Sequence, residues 1–303
     1  MIEWSGVFPA VTTKLKSDMT LDIEAIRTGL ERLIDAGVAG VVMMGMVGEN
    51  AQLSDDEKRT VLITAKDVVR GRIPIISGLA ETSTAKAVGF AKEAESIGVN
   101  GLMVFPGLTY KSDARETVEF YRSVARASGL EVLLYNNPRG YGVDLTPDVL
   151  EHLMDERTIV AIKEESYDIT RVTDLFNRFG DRLNVVCGVD DLILESAVLG
   201  SRAWVSGMAN AVPRQSTELL RLANGGQYEK ARALYRILTP LYHLDTAVKL
   251  VQHIKLAEHV IAGFSEAVKP PRLPLVGSER ELTLAIIDKT IADLKAAGFH
   301  HIS

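Results

Sequence analysis

Eight short apolar runs, the amphipathic helical patterns between them and a length of 303 residues together predict an α/β fold, a (β/α)8 TIM barrel with additional C-terminal helices. The runs begin at Gly6 ("GVFPAVTT"), Gly37 ("GVAGVVMMG"), Ile73 ("IPIISGLA") and Asn100 ("NGLMVFPG"). Four more begin at Glu131 ("EVLLYNNP"), Ile159 ("IVAIKEES"), Leu183 ("LNVVCGVD") and Arg202 ("RAWVSGMAN"). Each is too short and too continuously apolar to be a half-exposed strand, as expected when both faces of a parallel sheet are covered.

The helices between them have legible ends. Ile23, Ile26, Leu30, Leu33 and Ile34 keep helical spacing, and Gly37 follows as a stop. Ser54 to Glu57 ("SDDE") reads as a capping box, and Thr146 as a cap with Pro147 at the first helical position. Beyond residue 212 the strand pattern stops. "STELLRLANGG", "YEKARALYRIL", "HLDTAVKLVQHIKLAEHVI" and "ELTLAIIDKTIADLKAAG" read as helices packed outside the barrel, and "VKPPRLPL" as a turn segment. The expected division is a barrel core over 1–212 and C-terminal helices over 213–303, forming one structural unit.

Composition narrows the function. A net charge of −6 and no basic run leave nucleic-acid binding without an electrostatic footprint. No apolar window is long enough to span a bilayer, and the first residues lack a basic leader followed by an apolar stretch. The single cysteine, Cys187, lies in an apolar run, reads as core, and fits a reducing cytoplasm. The six histidines fall on helices and at the C-terminus rather than at strand ends, so no metal site is expected.

In barrels of this kind the chemistry sits at the C-terminal ends of the strands. The sixth run carries Lys163 there, on one face with Ala161 and Glu165. A lysine in a buried strand has two readings: a satisfied ion pair, or an amine that desolvation keeps neutral so that it can act as a nucleophile. Tyr135, ending the fifth run, could move the protons that imine formation needs. Glu165 either orients Lys163 or merely finishes the strand. Arg139 and Tyr141 follow the fifth strand on a loop expected to overhang the site, where a guanidinium could clamp a second polar end of a substrate. Glu49 and Asn50 read as groups that hold the "GMVG" loop, and Gly207 as a substrate contact. Asp190 and Asp191 could be a catalytic carboxylate pair, but "GVDDLILESA" reads better as a helix cap followed by an acidic first turn.

Taken in order, "GVFPAVTT", "GMVGEN", "YNNP", "AIKEES", "SGMAN" and "PPRLPL" resemble the dihydrodipicolinate synthase and N-acetylneuraminate lyase superfamily along nearly the whole chain. The resemblance implies that Lys163 forms an imine with the C2 carbonyl of a 2-oxo acid and that Tyr135 shuttles protons. It also implies that the loop Gly45, Met46, Val47 and Gly48 binds the substrate carboxylate. No cofactor beyond the covalent imine and a homotetramer built as a dimer of dimers are further implications.

Departures from the family pattern refine the expectation. Synthases and sialic-acid lyases usually carry two hydroxyl residues where this chain has Met46 and Val47. The synthases' tyrosine pair is replaced by Gly107 and Leu108, with Tyr110 beyond, and their arginine after the fifth-strand proline is displaced to Arg139. On these grounds the chain looks more like the dehydratase and deaminase branch, such as a 4-hydroxy-Δ1-pyrroline-2-carboxylate deaminase acting on a cyclic imine. Dihydrodipicolinate synthesis, cleavage of a 2-keto-3-deoxy sugar acid, and a barrel that binds a 2-oxo acid without turnover are the alternatives.

Overall fold

The computed structural model describes residues 1–107 and 109–302. Eight parallel strands line up as β1 (Gly6–Pro9), β2 (Val41–Met43), β3 (Ile75–Leu79), β4 (Gly101–Val104), β5 (Glu131–Asn136), β6 (Ile159–Glu164), β7 (Asn184–Cys187) and β8 (Ala203–Ser206). From β2 to β8 each strand pairs with the next, and β1 pairs with β8. The ring closes between β1 and β2 through a bridge from Ala10 to Val42, with Val11 N donating to Val42 O at 2.9 Å. The fold is therefore a (β/α)8 barrel, as the eight apolar runs predict.

Alternation along the strands makes two apolar layers. Val42, Ile76, Met103, Leu133 and Ala161 pack in the cluster that fills the barrel, whereas Val41, Ile75, Leu102, Val132 and Ile162 pack under the outer helices. Both sets are essentially buried, which is why the strands read as unbroken apolar runs.

The helices are α1 (Ile23–Asp35), α2 (Asp55–Val69), α3 (Thr84–Ile97), α4 (Ala114–Ala125), α5 (Pro138–Tyr141), α6 (Pro147–Glu151), α7 (Thr170–Phe179) and α8 (Ile193–Val198). Four more follow the last strand: α9 (Pro213–Asn224), α10 (Tyr228–Tyr242), α11 (Leu250–Ala262) and α12 (Gly277–Ala296). The predicted ends hold. Ser54 and Glu57 form a reciprocal capping box, and Thr146 caps a helix that begins with Pro147. α1 stops at Ala36, with Gly37 in the left-handed region.

The sequence places the last helices on the outside, and for α11 that is incomplete. Lys255 and Glu258 on α11 are buried against the barrel top, where Lys255 pairs with Glu49 at 2.5 Å and Glu258 with Lys14 at 2.5 Å. Thr12 completes the second group by donating to Glu258 at 2.6 Å. The run "GVFPAVTT" consequently gives a strand of only four residues, because the chain after it turns to meet α11. Among the described residues no helix is long and apolar enough to cross a membrane.

Candidate active site

The second-strand loop is held in place by unusual backbone and buried charge. Met44 and Glu49, on either side of residues 45–48, both adopt left-handed conformations that cost non-glycine residues free energy. A Cβ at Gly48 would lie 2.9 Å from the backbone of Met44 and from Val11 O, so the fold there requires glycine. Asn50 donates its amide to Met44 O at 2.8 Å and Gly78 O at 3.2 Å. Glu49 accepts from Lys255 and, at 2.7 Å, from the backbone N–H of Lys269. Burial lowers the Lys255 pKa below the usual lysine range, against the pull of Glu49. Glu49 and Asn50 thus touch the loop's frame rather than the cavity. Among the described residues the amides of Met46, Val47 and Gly48 have no acceptor, which leaves them free to bind an anion.

Lys163 is placed by register. It pairs with Tyr135 across β5 and β6, and its Nζ lies 4.1 Å from the Tyr135 ring centroid. On the opposite face of the same strands Asn136 donates to Glu164 at 2.9 Å, which locks the alternation. Phe105 and Tyr141 meet Tyr135 edge-on, with centroids 4.8 and 5.6 Å away. Gly188 faces the lysine stem, where a Cβ would lie 2.8 Å from Lys163 Cγ.

A cavity of ≈ 30 Å³ remains beside Lys163. Met46, Val47, Met103 and Val205 give it apolar walls, and Glu165, Asp245 and Gly207 also border it. Asp245 arrives from the segment after α10, and a Cβ at Gly207 would run into its carboxylate. Gly207 is thus a contact of Asp245 as well as a cavity wall.

Electrostatics at this cavity differ from the expectation of a neutral amine. Burial alone would lower the Lys163 pKa, but the Glu165 carboxylate, its hydrogen bond, and Asp245 together raise it above the ordinary value. The resting side chain is an ammonium paired with Glu165. Asn137 links this pair to the tyrosine: its Nδ2 donates to Glu165 Oε1 at 2.8 Å and to Tyr135 Oη at 3.2 Å. Burial, followed by the nearby Glu165 charge, pushes the Tyr135 phenol well above its usual range. Burial also raises Asp245 well above the ordinary carboxyl range, with Asp190 and Glu165 adding to the shift.

Two expectations are corrected here. Arg139 does not line the cavity: α5 turns the chain directly after β5, and its guanidinium stacks 4.1 Å over the half-buried Tyr167 while Tyr141 turns inward. Asp190 is no helix cap. It is fully buried and accepts from Trp204 Nε1 and Ser206 Oγ at 2.9 Å and from Met208 N at 2.8 Å, fastening the turn after β8. Burial outweighs those donors and pushes its carboxyl up to about 7. Its neighbour Asp191 lies 2.6 Å from His243 Nδ1.

Cys187 ends β7 beside this site, its thiol donating to Val189 O at 3.3 Å and pushed up to about 12 by burial. Leu108, which falls where the family's tyrosine pair would stand, lies outside the described residues. The sequence reading missed Asn137, although it sits inside "YNNP", and it missed Asp245, whose segment carries only a helical pattern. Among the described residues no three His, Cys, Asp or Glu side chains are placed to share a metal ion.

Residues 3–290 match the dihydrodipicolinate synthetase family. The chain belongs to that family. A 4-hydroxy-tetrahydrodipicolinate synthase of Methanothrix thermoacetophila is 32% identical over 292 residues, covering 95% of this chain and 97% of the relative. The structure of the corresponding synthase from Methylacidiphilum fumariolicum SolV superposes with a TM-score of 0.94 at 27% identity, covering 99% of this chain and 100% of that one. YagE, a prophage protein of the same family from E. coli K12 solved with pyruvate, gives 0.88 at 26% identity over 95% of this chain and 99% of its own. In this dihydrodipicolinate synthetase family member the loop presents the apolar Met46 and Val47 to the cavity, and Glu165 stands against the lysine. The deaminase expectation finds no support among these relatives, whose names favour the synthase alternative.

Proposed function

We propose that the protein is a lysine imine lyase that captures a 2-oxo acid through Lys163 without a separate cofactor. One observation carries this reading: Lys163 and Tyr135 are register partners at the C-terminal end of the barrel, side by side at one cavity. The free amides of Met46 and Val47 would take the substrate carboxylate at the cavity that Lys163 and Tyr135 also border, within which C2 would meet Nζ. Once formed, the cationic imine acidifies the neighbouring carbon and so opens the route to bond making or breaking there.

Relatives named as synthases, and a neighbour solved with pyruvate, support pyruvate as the 2-oxo acid and 4-hydroxy-tetrahydrodipicolinate synthesis as the reaction. A second reading has its own observation. Met46 and Val47 supply no hydroxyl to a proton relay, which favours loss of water or carbon–carbon cleavage in a hydroxylated 2-oxo acid or cyclic imine. A homotetrameric assembly and a cytoplasmic location belong to the same proposal.

The test is a substrate comparison. Pyruvate with aspartate semialdehyde is measured against hydroxylated 2-oxo acids and hydroxypyrroline carboxylate, following semialdehyde, pyruvate and ammonia. A kcat/KM for the synthase pair at or above every other substrate is expected from the relatives. A hydroxylated substrate ahead by about 100-fold, roughly 2.7 kcal/mol in transition-state binding, would select the second reading. Failure of every 2-oxo acid to be trapped on the protein by borohydride would sink both.

A further inference from the structure

An ammonium has no lone pair, so Lys163 must lose a proton before it can attack a carbonyl. The side chains around Nζ determine where that proton goes. Tyr135 and Tyr141 are phenols held protonated by burial, so neither can take up a proton without giving up its own. The loop facing the lysine offers the side chains of Met46 and Val47, which have no basic group to take up a proton. Ser206 is occupied by Asp190 and by the N–H of Ala209. Asp245 borders the same cavity from the far side, over Gly207. The group in direct hydrogen-bond contact with Nζ is Glu165 Oε2.

Glu165 is also aimed. Asn137 holds Oε1 at 2.8 Å, which turns Oε2 toward the lysine, and the same amide nitrogen reaches the Tyr135 hydroxyl at 3.2 Å. One amide therefore sets both a carboxylate and a phenol against the place where a carbinolamine would form. The carboxylate is nearly buried, so a proton placed on it stays in the site rather than passing to bulk water.

We propose that Glu165 is the catalytic acid–base of imine formation, taking a proton from Lys163 and returning it to the departing hydroxyl. The proposal rests on the imine reading above. First the Nζ–H bond breaks and an O–H bond forms on Glu165, leaving a neutral amine and a carboxylic acid. The amine lone pair then adds to C2 while the carbonyl π pair moves to oxygen. A second amine proton passes to that oxygen through Tyr135, giving the neutral carbinolamine. Glu165 next protonates the hydroxyl, the C2–O bond breaks, and water departs as the nitrogen lone pair forms C=N. The result is an iminium, one water and a regenerated carboxylate. No oxidant, metal or further reactant is needed.

Rapid mixing with pyruvate and a borohydride quench, read by mass on the Lys163 peptide, tests this directly. Glu165→Gln keeps the size of the side chain and an oxygen for Asn137. It is expected to slow adduct formation by about 100-fold or more, while the pyruvate concentration giving half-maximal rate shifts less than threefold. Glu165→Asp, which keeps a carboxylate, should recover at least a tenth of the native rate. Glu165→Ala should be accelerated by added formate, a rescue that a merely structural side chain would not show. Adduct formation in Glu165→Gln within threefold of native would overturn the proposal, and so would a folded Glu165→Asp no faster than Glu165→Gln. If native protein itself forms no adduct, it is the imine reading that fails.

Discussion

Lys163→Ala is expected to abolish turnover and borohydride labelling together. Removing a covalent nucleophile costs on the order of 10⁶-fold in rate, about 8 kcal/mol of barrier, because no neighbouring group can replace the bond it makes. The variant also leaves Glu165 buried without its cation, and a stranded buried charge is destabilising. Loss of activity from unfolding must therefore be separated from loss of the nucleophile. The double variant Lys163→Met with Glu165→Gln removes both charges at once and is expected to fold while remaining inactive. Circular dichroism and labelling of the two variants check this. Native-like turnover in either folded protein would end the lysine mechanism.

Tyr135→Phe is expected to lower kcat by about 10²–10⁴-fold, the size of a general acid–base contribution, with a much smaller change in KM. The substitution is nearly isosteric. Phenylalanine keeps the edge-on contacts with Phe105 and Tyr141, and Asn137 retains Glu165 when it loses the phenol as a second acceptor. Stability should move by no more than about 1 kcal/mol, the net worth of one hydrogen bond. Steady-state kinetics beside thermal melting measure both effects. A drop below threefold would assign the proton transfers to water or to Glu165 alone.

The architecture was legible because its causes are local. A strand covered on both faces must be apolar at every position, and Ile159, Ala161 and Ile162 announce that without any partner in view. The caps at Ser54 and Thr146 are likewise short-range hydrogen bonds that the sequence contains whole. Lys163 and Tyr135 stood out because each ends such a run. What depends on distant chain was not legible. The charge of Lys163 is set by Glu165 two residues on, but also by Asp245, which arrives from beyond α10. Glu49 finds its cation 206 residues away on α11, so no local pattern could reveal it. Arg139 sits over Tyr167 rather than in the cavity because a single helical turn follows β5 at once. Asp190 looks like a cap in the sequence because its donors, Trp204, Ser206 and Met208, belong to the next strand and turn.

The chain's one thiol gives the barrel a built-in clock. Cys187 is sealed at the end of β7 and held protonated to about pH 12, so an alkylating reagent can reach a reactive thiolate only when that strand opens. With a single thiol there is one cysteine labelling event per molecule, and its rate reads the opening frequency of the wall next to Lys163 without any introduced probe. An occupant of the cavity stabilises the closed form by mass action. A trapped 2-oxo acid is therefore expected to slow alkylation in proportion to how firmly it holds the strand shut, and a labelling rate indifferent to saturating pyruvate would mean that β7 opens independently of the site.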